Sequence, residues 1–216
     1  MIYPWPAELK NKLSPIGESQ PTQKQQSAVC LILRTPAPDF RPEILFIKRA
    51  ERADDPWSGH MAFPGGRRHR EDQTIAHTAV RETLEEIGMS LRSEESLGAL
   101  GPYSPRVSPE LAVYPFIYLT EHSGELVLNV TEVDEIHWVP LAHAFKSSSF
   151  TQRPYTFRGM TLTLPSFSFD DHHIWGVTYV ILLDFLYKFV ETSLGKTLCQ
   201  EAKFDPKSTW NYTPYR

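Results

Sequence analysis

The stretch FPGGRRHREDQTIAHTAVRETLEEIGM, residues 63–89, constrains this chain more than any other. It opens on a glycine pair after Pro64 and ends with three glutamates, Glu82, Glu85 and Glu86, crowded onto about one helical turn. Ala76, Val80, Leu84 and Ile87 recur at spacings of four, four and three, which predicts a helix over 74–87 with one apolar stripe. Gly88 follows where a helix C-terminus takes a residue tolerant of positive φ. On a wheel at about 100° per residue, Leu84 and Ile87 fall within roughly 40° of Val80. The glutamates fall between about 140° and 240°, so they are expected to point away from the core stripe, toward solvent or a cleft.

That arrangement is doubly unfavourable for a helix alone. Like charges at i,i+3 and i,i+4 repel by a few tenths of a kcal/mol per pair. Glu85 and Glu86 also face the negative end of the helix dipole, which costs about 0.3–1 kcal/mol each. Arg81 relieves Glu85, though in the weaker order, arginine before glutamate. A solvated acidic face is the ordinary explanation for such a run, and the double penalty argues against it. Divalent cations remove the penalty, because clustered carboxylate oxygens are what hard ions such as Mg²⁺ or Mn²⁺ require. Gly65 and Gly66 permit a tight turn with backbone close to whatever such ions hold.

Around this stretch, SAVCLILR and EILFIKR are short β-rich runs separated by a proline turn signal, which predicts a strand pair. LGALGPYSPRVSPELAVYPFIYLT holds a loop and a strand, and ELVLNVTEVDEIHWVPL holds two further strand candidates around an acidic turn. A short helix is expected near AELKNKL and another at 142–149, and the stretch 155–173 is strand-like. The tail from residue 202 shows no usable period. Strands with interspersed helices and no βαβ repeat predict an α/β chain with a mixed sheet and helices on its faces.

At 216 residues the chain supports one domain with a full core. Its formal charge of −4 gives no electrostatic case for nucleic acid as a partner. Residues 174–190 form the longest apolar run, too short for a ~20-residue span and interrupted by Asp184 and Lys188, so a buried helix and no membrane role are expected. Cys30, inside an apolar run, reads as a small core residue. No signal peptide is visible, and the chain reads as a cytoplasmic protein.

Gly66, Asp72 and RETLEEIGM (residues 81–89) together closely resemble the Nudix box: a glycine, a glutamate, Arg-Glu, an aliphatic, any residue, Glu-Glu, any residue and Gly. The resemblance implies an α/β/α sandwich with a mixed β-sheet. It also implies metal-dependent cleavage of a nucleoside diphosphate linked to another group, with Mg²⁺ or Mn²⁺ as cofactor. Glu82, Glu85 and Glu86 become metal ligands, and Arg81 orients them. Two departures stand. Gly66 to Arg81 spans fifteen positions, one more than the usual box, and Thr83 replaces the usual aliphatic residue. Counted forward from Gly66, Asp72 matches the family's first glutamate; counted back from Arg81, the position is Gln73.

The extra residue is similar to the coenzyme A pyrophosphatase group within that family. So are Arg49-Ala50 and Gly59 ahead of Phe63-Pro64-Gly65-Gly66, the stretch NVTEVDEIHWVPL, and HIWGVTYVILLDFL. Phe46-Ile47-Lys48-Arg49 departs from that group's Leu-Thr-x-Arg, and the loop to Gly59 is a residue longer. The resemblance assigns residues 27–195 to the Nudix domain, 1–26 to an N-terminal extension and 196–216 to a C-terminal tail. The expected substrate is a small nucleotide diphosphate, coenzyme A or an acyl-CoA, acted on by a monomer or homodimer. ADP-ribose, another nucleotide diphosphate, or a sensor that binds without cleaving are the alternatives.

Water would attack one phosphorus, assisted by a base. Glu85 or Glu86 within the helix, and Glu132 or Glu110 outside it, are the candidates, with Glu132 preferred on the resemblance. Arg49, Arg52, Arg67 and Arg106 are candidates for phosphate contacts, because guanidinium matches phosphate oxygens in pairs. Trp57 is suited either to stacking on a base or to packing, and His173 to shaping the pocket. DDHH at 170–173 offers no third or fourth ligand at useful spacing, so no zinc site is expected there.

Overall fold

Two apolar runs, one on each side of the proline turn, form the centre of the molecule. The computed structural model describes residues 3–17, 24–53, 57–121, 124–157 and 160–210. Residues 54–56 of the polar loop, 18–23 of the N-terminal segment and the tail beyond Trp210 lie outside that set. In chain order the elements are α1 (Trp5–Lys10), β1 (Gln25–Arg34), β2 (Glu43–Arg49), β3 (Met61–Ala62), β4 (Gly65–Arg67) and α2 (Ile75–Ile87). Then come β5 (Ser96–Ala99), β6 (Leu111–Leu119), β7 (Val133–Pro140), β8 (Phe150–Phe157), β9 (Met160–Phe169), β10 (His172–Trp175), α3 (Gly176–Phe189), α4 (Ser193–Ala202) and α5 (Pro206–Thr209).

The expected strand pair is present: β1 and β2 run antiparallel, with Leu33 opposite Ile44. The main sheet has the order β3-β2-β1-β6-β5, with β4 also paired to β1 and β7 to β2. β1 and β6 are parallel along their length and the other pairings are antiparallel, so the sheet is mixed as predicted. Side chains of a strand alternate between faces. Leu31, Leu33, Ile44 and Phe46 therefore enter one core cluster, while Ala28, Cys30, Ile32, Leu45 and Ile47 enter another. Both faces are covered, which is why these runs read as continuously apolar. α2 covers the second cluster. α1, α3 and an antiparallel second sheet, β8-β9-β10, enclose the first.

The apolar run at residue 174 splits into β10 and α3, and α3 buries Ile181, Leu182, Leu183, Phe185, Leu186 and Phe189. Asp184 is tolerated there because it accepts a hydrogen bond from the Tyr103 hydroxyl. Among the described residues no helix is long and apolar enough to cross a membrane.

Two expectations change. Only one of the two strands expected in 125–141 forms, β7. Residues 125–129 instead spend backbone N–H groups on the open end of α2: Val127 donates to the Ile87 carbonyl (3.0 Å) and Asn129 to that of Glu86 (2.9 Å). The short helix expected at 142–149 is two 3₁₀ turns, Leu141–Phe145 and Ser147–Ser149. α4 spans residue 195, and residues on both sides of 27–195 reach the core. Trp5 of α1 packs edge-on against Phe189 (5.6 Å between ring centres), and Trp210 packs against Phe145. Gly195 lets α4 approach α3 closely, since a Cβ there would sit 2.2 Å from the Phe189 carbonyl oxygen.

Candidate active site

The acidic helix starts and stops where its sequence requires. The Thr74 hydroxyl accepts the His77 N–H at 3.1 Å, an N-cap, and Gly88 closes the helix in the left-handed conformation at φ 69°. Its orientation differs from expectation. Ile75, Thr78, Ala79, Thr83, Glu86 and Ile87 are buried, while Leu84 is 50% exposed. The buried face is thus turned by about 100° from the stripe read in the sequence. Thr83 makes this possible, because its hydroxyl donates to the Ala79 carbonyl (2.8 Å) and needs no water.

In consequence, Glu86 does not point away from the core. Its side chain is only 2% exposed, although it lies one residue from the helix end. One carboxylate oxygen accepts the Gly65 N–H at 2.8 Å, and the other faces Arg49 at 3.9 Å, beyond hydrogen-bond range. Burial pushes the Glu86 carboxyl up to about 8, against the pull of that N–H and of Arg49. Glu82 is also raised by burial, which outweighs Arg81, while Glu85 stays half-exposed.

The glycine pair brings backbone to these carboxylates. β4 pairs with β1 in the register Ala28 with Gly66 and Val29 with Gly65. Gly65 sits at φ +148°, where a Cβ would lie 2.1 Å from the Ala28 carbonyl oxygen. Gly66 faces Glu82, and a Cβ there would lie 2.4 Å from the carboxylate carbon. Both positions therefore need glycine, one for the strand pairing and one for the carboxylate.

Arg81 binds the acidic set together. It donates to both oxygens of Asp72 (2.9 and 3.0 Å), to Glu85 (2.8 Å) and to the Arg67 carbonyl (3.2 Å), and lies 2.9 Å from Glu82. Asp72 is buried and also accepts from the His69 N–H and the Thr78 hydroxyl, each at 2.9 Å. Arg81, with those two donors, holds the Asp72 carboxyl well below the usual carboxylate range. Of the two residues the sequence leaves open, Asp72 is the one bound to Arg81, while the Gln73 N–H faces a His77 ring nitrogen at 3.4 Å.

Glu82, Glu85, Glu86, Arg81, Gly65, Gly66 and Arg49 thus come together at one end of α2. Glu132 is near enough for its charge to raise both Glu82 and Glu86, and its carbonyl accepts the Ala50 N–H at 2.9 Å. Arg67 supplies its carbonyl to Arg81, while its side chain is exposed. Arg52 is exposed in its loop, with its N–H donated to the Ser58 hydroxyl, and Arg106 is also exposed. Glu110 is exposed just before β6. Trp57 is half-buried against the α3-side core, and a ring nitrogen of His173 lies 2.8 Å from the Ser168 hydroxyl.

The carboxylate set fits a hard divalent cation on its chemistry and on its deficit of positive charge. Three carboxyl groups lie along one end of α2, two of them held by Arg81 and the third buried with a single hydrogen bond and a guanidinium held off at 3.9 Å.

Residues 24–158 match the NUDIX domain family. A Homo sapiens protein described as mitochondrial coenzyme A diphosphatase NUDT8 is 34% identical over 142 residues, covering 65% of this chain and 60% of the relative. This chain thus spans less than two thirds of that relative's length. The Mus musculus protein of the same description is 32% identical over 159 residues, covering 71% of this chain and 70% of the relative. A crystal structure of a MutT/nudix family protein from Enterococcus faecalis superposes with a TM-score of 0.58 over 89% of this chain and 79% of the other. At 16% identity it speaks to the fold alone. The chain belongs to the Nudix hydrolase family.

Proposed function

We propose that this protein hydrolyses a nucleoside diphosphate linked to another group in a divalent-cation-dependent reaction. We take coenzyme A or an acyl-CoA as the substrate, and 3′,5′-ADP and (acyl-)phosphopantetheine as the products. The reading rests first on Glu86: a buried carboxylate short of cationic partners, beside Glu82 and Glu85, at the lip of a glycine-lined strand. The choice of substrate draws on the one-residue-longer box, on Arg49-Ala50 and Gly59, and on relatives described as coenzyme A diphosphatases.

Glu82, Glu85 and Glu86 would hold the cation, Mg²⁺ or Mn²⁺. When bound, it supplies neutralisation of phosphate charge and a lowered pKa for water. The chain's own residues do the rest. Arg81 fixes Glu82 and Glu85, and its anchor on Asp72 keeps the guanidinium from swinging toward the substrate. Gly65 orients Glu86 through its N–H. Arg49, at the end of β2 beside Glu86, is placed to meet an anionic phosphate. Glu132 takes one proton from the attacking water. The new phosphorus–oxygen bond forms as the bridging phosphorus–oxygen bond breaks, and the departing phosphate carries away the bridging oxygen. The intact glutamates argue against a sensor that binds without cleaving.

A substrate panel with Mg²⁺ or Mn²⁺, its products resolved by chromatography, tests the reading. Coenzyme A should be turned over with 3′,5′-ADP as product. Turnover of ADP-ribose well above that of coenzyme A would remove the assigned substrate, and no turnover of any diphosphate would remove the hydrolase reading.

A further inference from the structure

A second constellation lies on the α3 side of the sheet, outside the acidic helix. Glu135 and His137 are two residues apart on β7, so their side chains share one face. Ile136 and Trp138 take the opposite face and pack toward the α2-side core. Across the gap between the sheets, β10 brings in His172. One oxygen of Glu135 lies 2.7 Å from Nε2 of His137 and 3.3 Å from Nε2 of His172, and the imidazole rings are 4.3 Å apart. Ligand atoms of all three residues lie within 4.8 Å of one another. The DDHH run lacked partners only in sequence: packing of the second sheet against the first supplies them from thirty-five and thirty-seven positions upstream of His172.

The surroundings hold the three groups in place. Lys48, opposite Glu135 across the β2–β7 pair, binds the other carboxylate oxygen at 2.6 Å. That contact anchors the carboxylate and leaves its second oxygen to the two imidazoles. Phe169 lies against both rings, at 5.4 Å from His137 and 5.2 Å from His172, and in turn stacks on Phe46. Each of the three side chains is between a fifth and about a third exposed, so solvent reaches the cluster. A cavity of about 360 Å³ opens beside it, lined by Lys48, His60, Met61, Asp171, His172 and Trp175 among others. It has room for water, and Asp171 adds a carboxylate to its wall.

We propose that Glu135, His137 and His172 form a second metal site, selective for a borderline transition ion of the Zn²⁺ class and distinct from the carboxylate cluster of α2. Two imidazoles and one carboxylate, with a position left for water, make a donor set suited to Zn²⁺ and its first-row neighbours, whereas Mg²⁺ selects oxygens. A tetrahedral set at roughly 2.0–2.1 Å from its ion holds neighbouring donors about 3.4 Å apart. The pair Glu135–His172, at 3.3 Å, is already near that separation, and Glu135–His137, at 2.7 Å, needs to open by about 0.7 Å. Ligation needs a lone pair on each imidazole nitrogen now facing Glu135. A neutral ring supplies it by moving its proton to the other nitrogen, and a doubly protonated ring by releasing one proton to solvent. The bound ion would tie β7 of the main sheet to β10 of the second sheet at His172, four residues before α3 begins.

The full-length protein, stripped with a chelator, is titrated with Zn²⁺ against a chromophoric competitor and with Co²⁺ by visible absorption. Glu82→Gln/Glu86→Gln disables the α2 carboxylates and isolates the second site. That variant should bind one equivalent of Zn²⁺, show Co²⁺ absorption typical of four-coordination, and melt at a higher temperature with Zn²⁺ than without. His137→Gln and His172→Gln, added to it, should each weaken Zn²⁺ binding at least about tenfold and abolish the thermal shift, with metal-free circular dichroism unchanged. Lys48→Met is a check that does not depend on the histidine variants folding. Removing the positive charge of Lys48 beside Glu135 takes away its repulsion of the ion and should tighten Zn²⁺ binding. No Zn²⁺ bound by Glu82→Gln/Glu86→Gln, unchanged affinity in both histidine variants, or unchanged affinity in Lys48→Met would each overturn the site and leave a hydrogen-bonded cluster.

Discussion

Asp72 and Arg81 are joined by two parallel hydrogen bonds, Nε to Oδ1 at 2.9 Å and Nη2 to Oδ2 at 3.0 Å, with the aspartate side chain almost wholly buried. The same guanidinium reaches Glu82 and Glu85, so the pair acts at a distance on the groups that would hold the cation. Asp72→Asn keeps the shape but removes the charge, and leaves a guanidinium short of its counter-ion. We expect a loss of about 2–4 kcal/mol in urea unfolding and roughly a 10–100-fold loss of turnover. Because the folded-state pKa of Asp72 is depressed, its contribution is fully present above the unfolded value near 4 and fades as pH falls below it. The stability gap between wild type and Asp72→Asn should therefore be constant at neutral pH and narrow under acid. A gap that widens on acidification would contradict the assignment.

The two adjacent glycines should fail differently. Gly65→Ala drives a Cβ into the Ala28 carbonyl and the Val29 backbone at a positive φ, and strand backbone cannot yield cheaply. A destabilisation above about 3 kcal/mol, or loss of folding, is expected. Gly66→Ala meets only the end of the Glu82 side chain, which can swing aside. Its stability should change by about 1 kcal/mol or less, while turnover falls at least roughly tenfold as Glu82 is displaced. Thermal melts and initial rates on both variants decide this, and equal behaviour of the pair would count against it.

Glu86 is a burden on the metal-free fold. It is buried with one hydrogen bond, which a glutamine oxygen can also accept from Gly65. In chelator at pH 8, Glu86→Gln should be more stable than wild type by on the order of 1–3 kcal/mol, or roughly 3–10 °C in Tm. Its turnover should nevertheless fall at least about 100-fold. A variant that is both inactive and less stable in chelator would point to a structural carboxylate.

The limits of the helix and the three glutamates could be read directly, because Thr74, Gly88 and the charge crowding are local signals. The helix's orientation was not legible. Thr83 is polar yet buried, since its hydroxyl is satisfied by the turn before it, and Leu84 is apolar yet exposed. Any stripe drawn by hydrophobicity alone takes the wrong one of the two. Leu126 and Leu128 look like strand residues, but their segment caps α2, a use of backbone that side-chain alternation does not report. α4 is masked by Gly195, which lowers helix propensity in exchange for close approach to α3. The meeting of Glu135 and His137 with His172 depends on the packing of two sheets, so no spacing rule could have found it.

The most direct test of the central claim is the hydrolysis of coenzyme A by wild type, Glu82→Gln and Glu86→Gln, with and without Mg²⁺ or Mn²⁺, followed by product identification. The account predicts cation-dependent release of 3′,5′-ADP by the wild type, at least about 100-fold reduced in each variant. Release that persists in chelator, or that survives both substitutions, would contradict it.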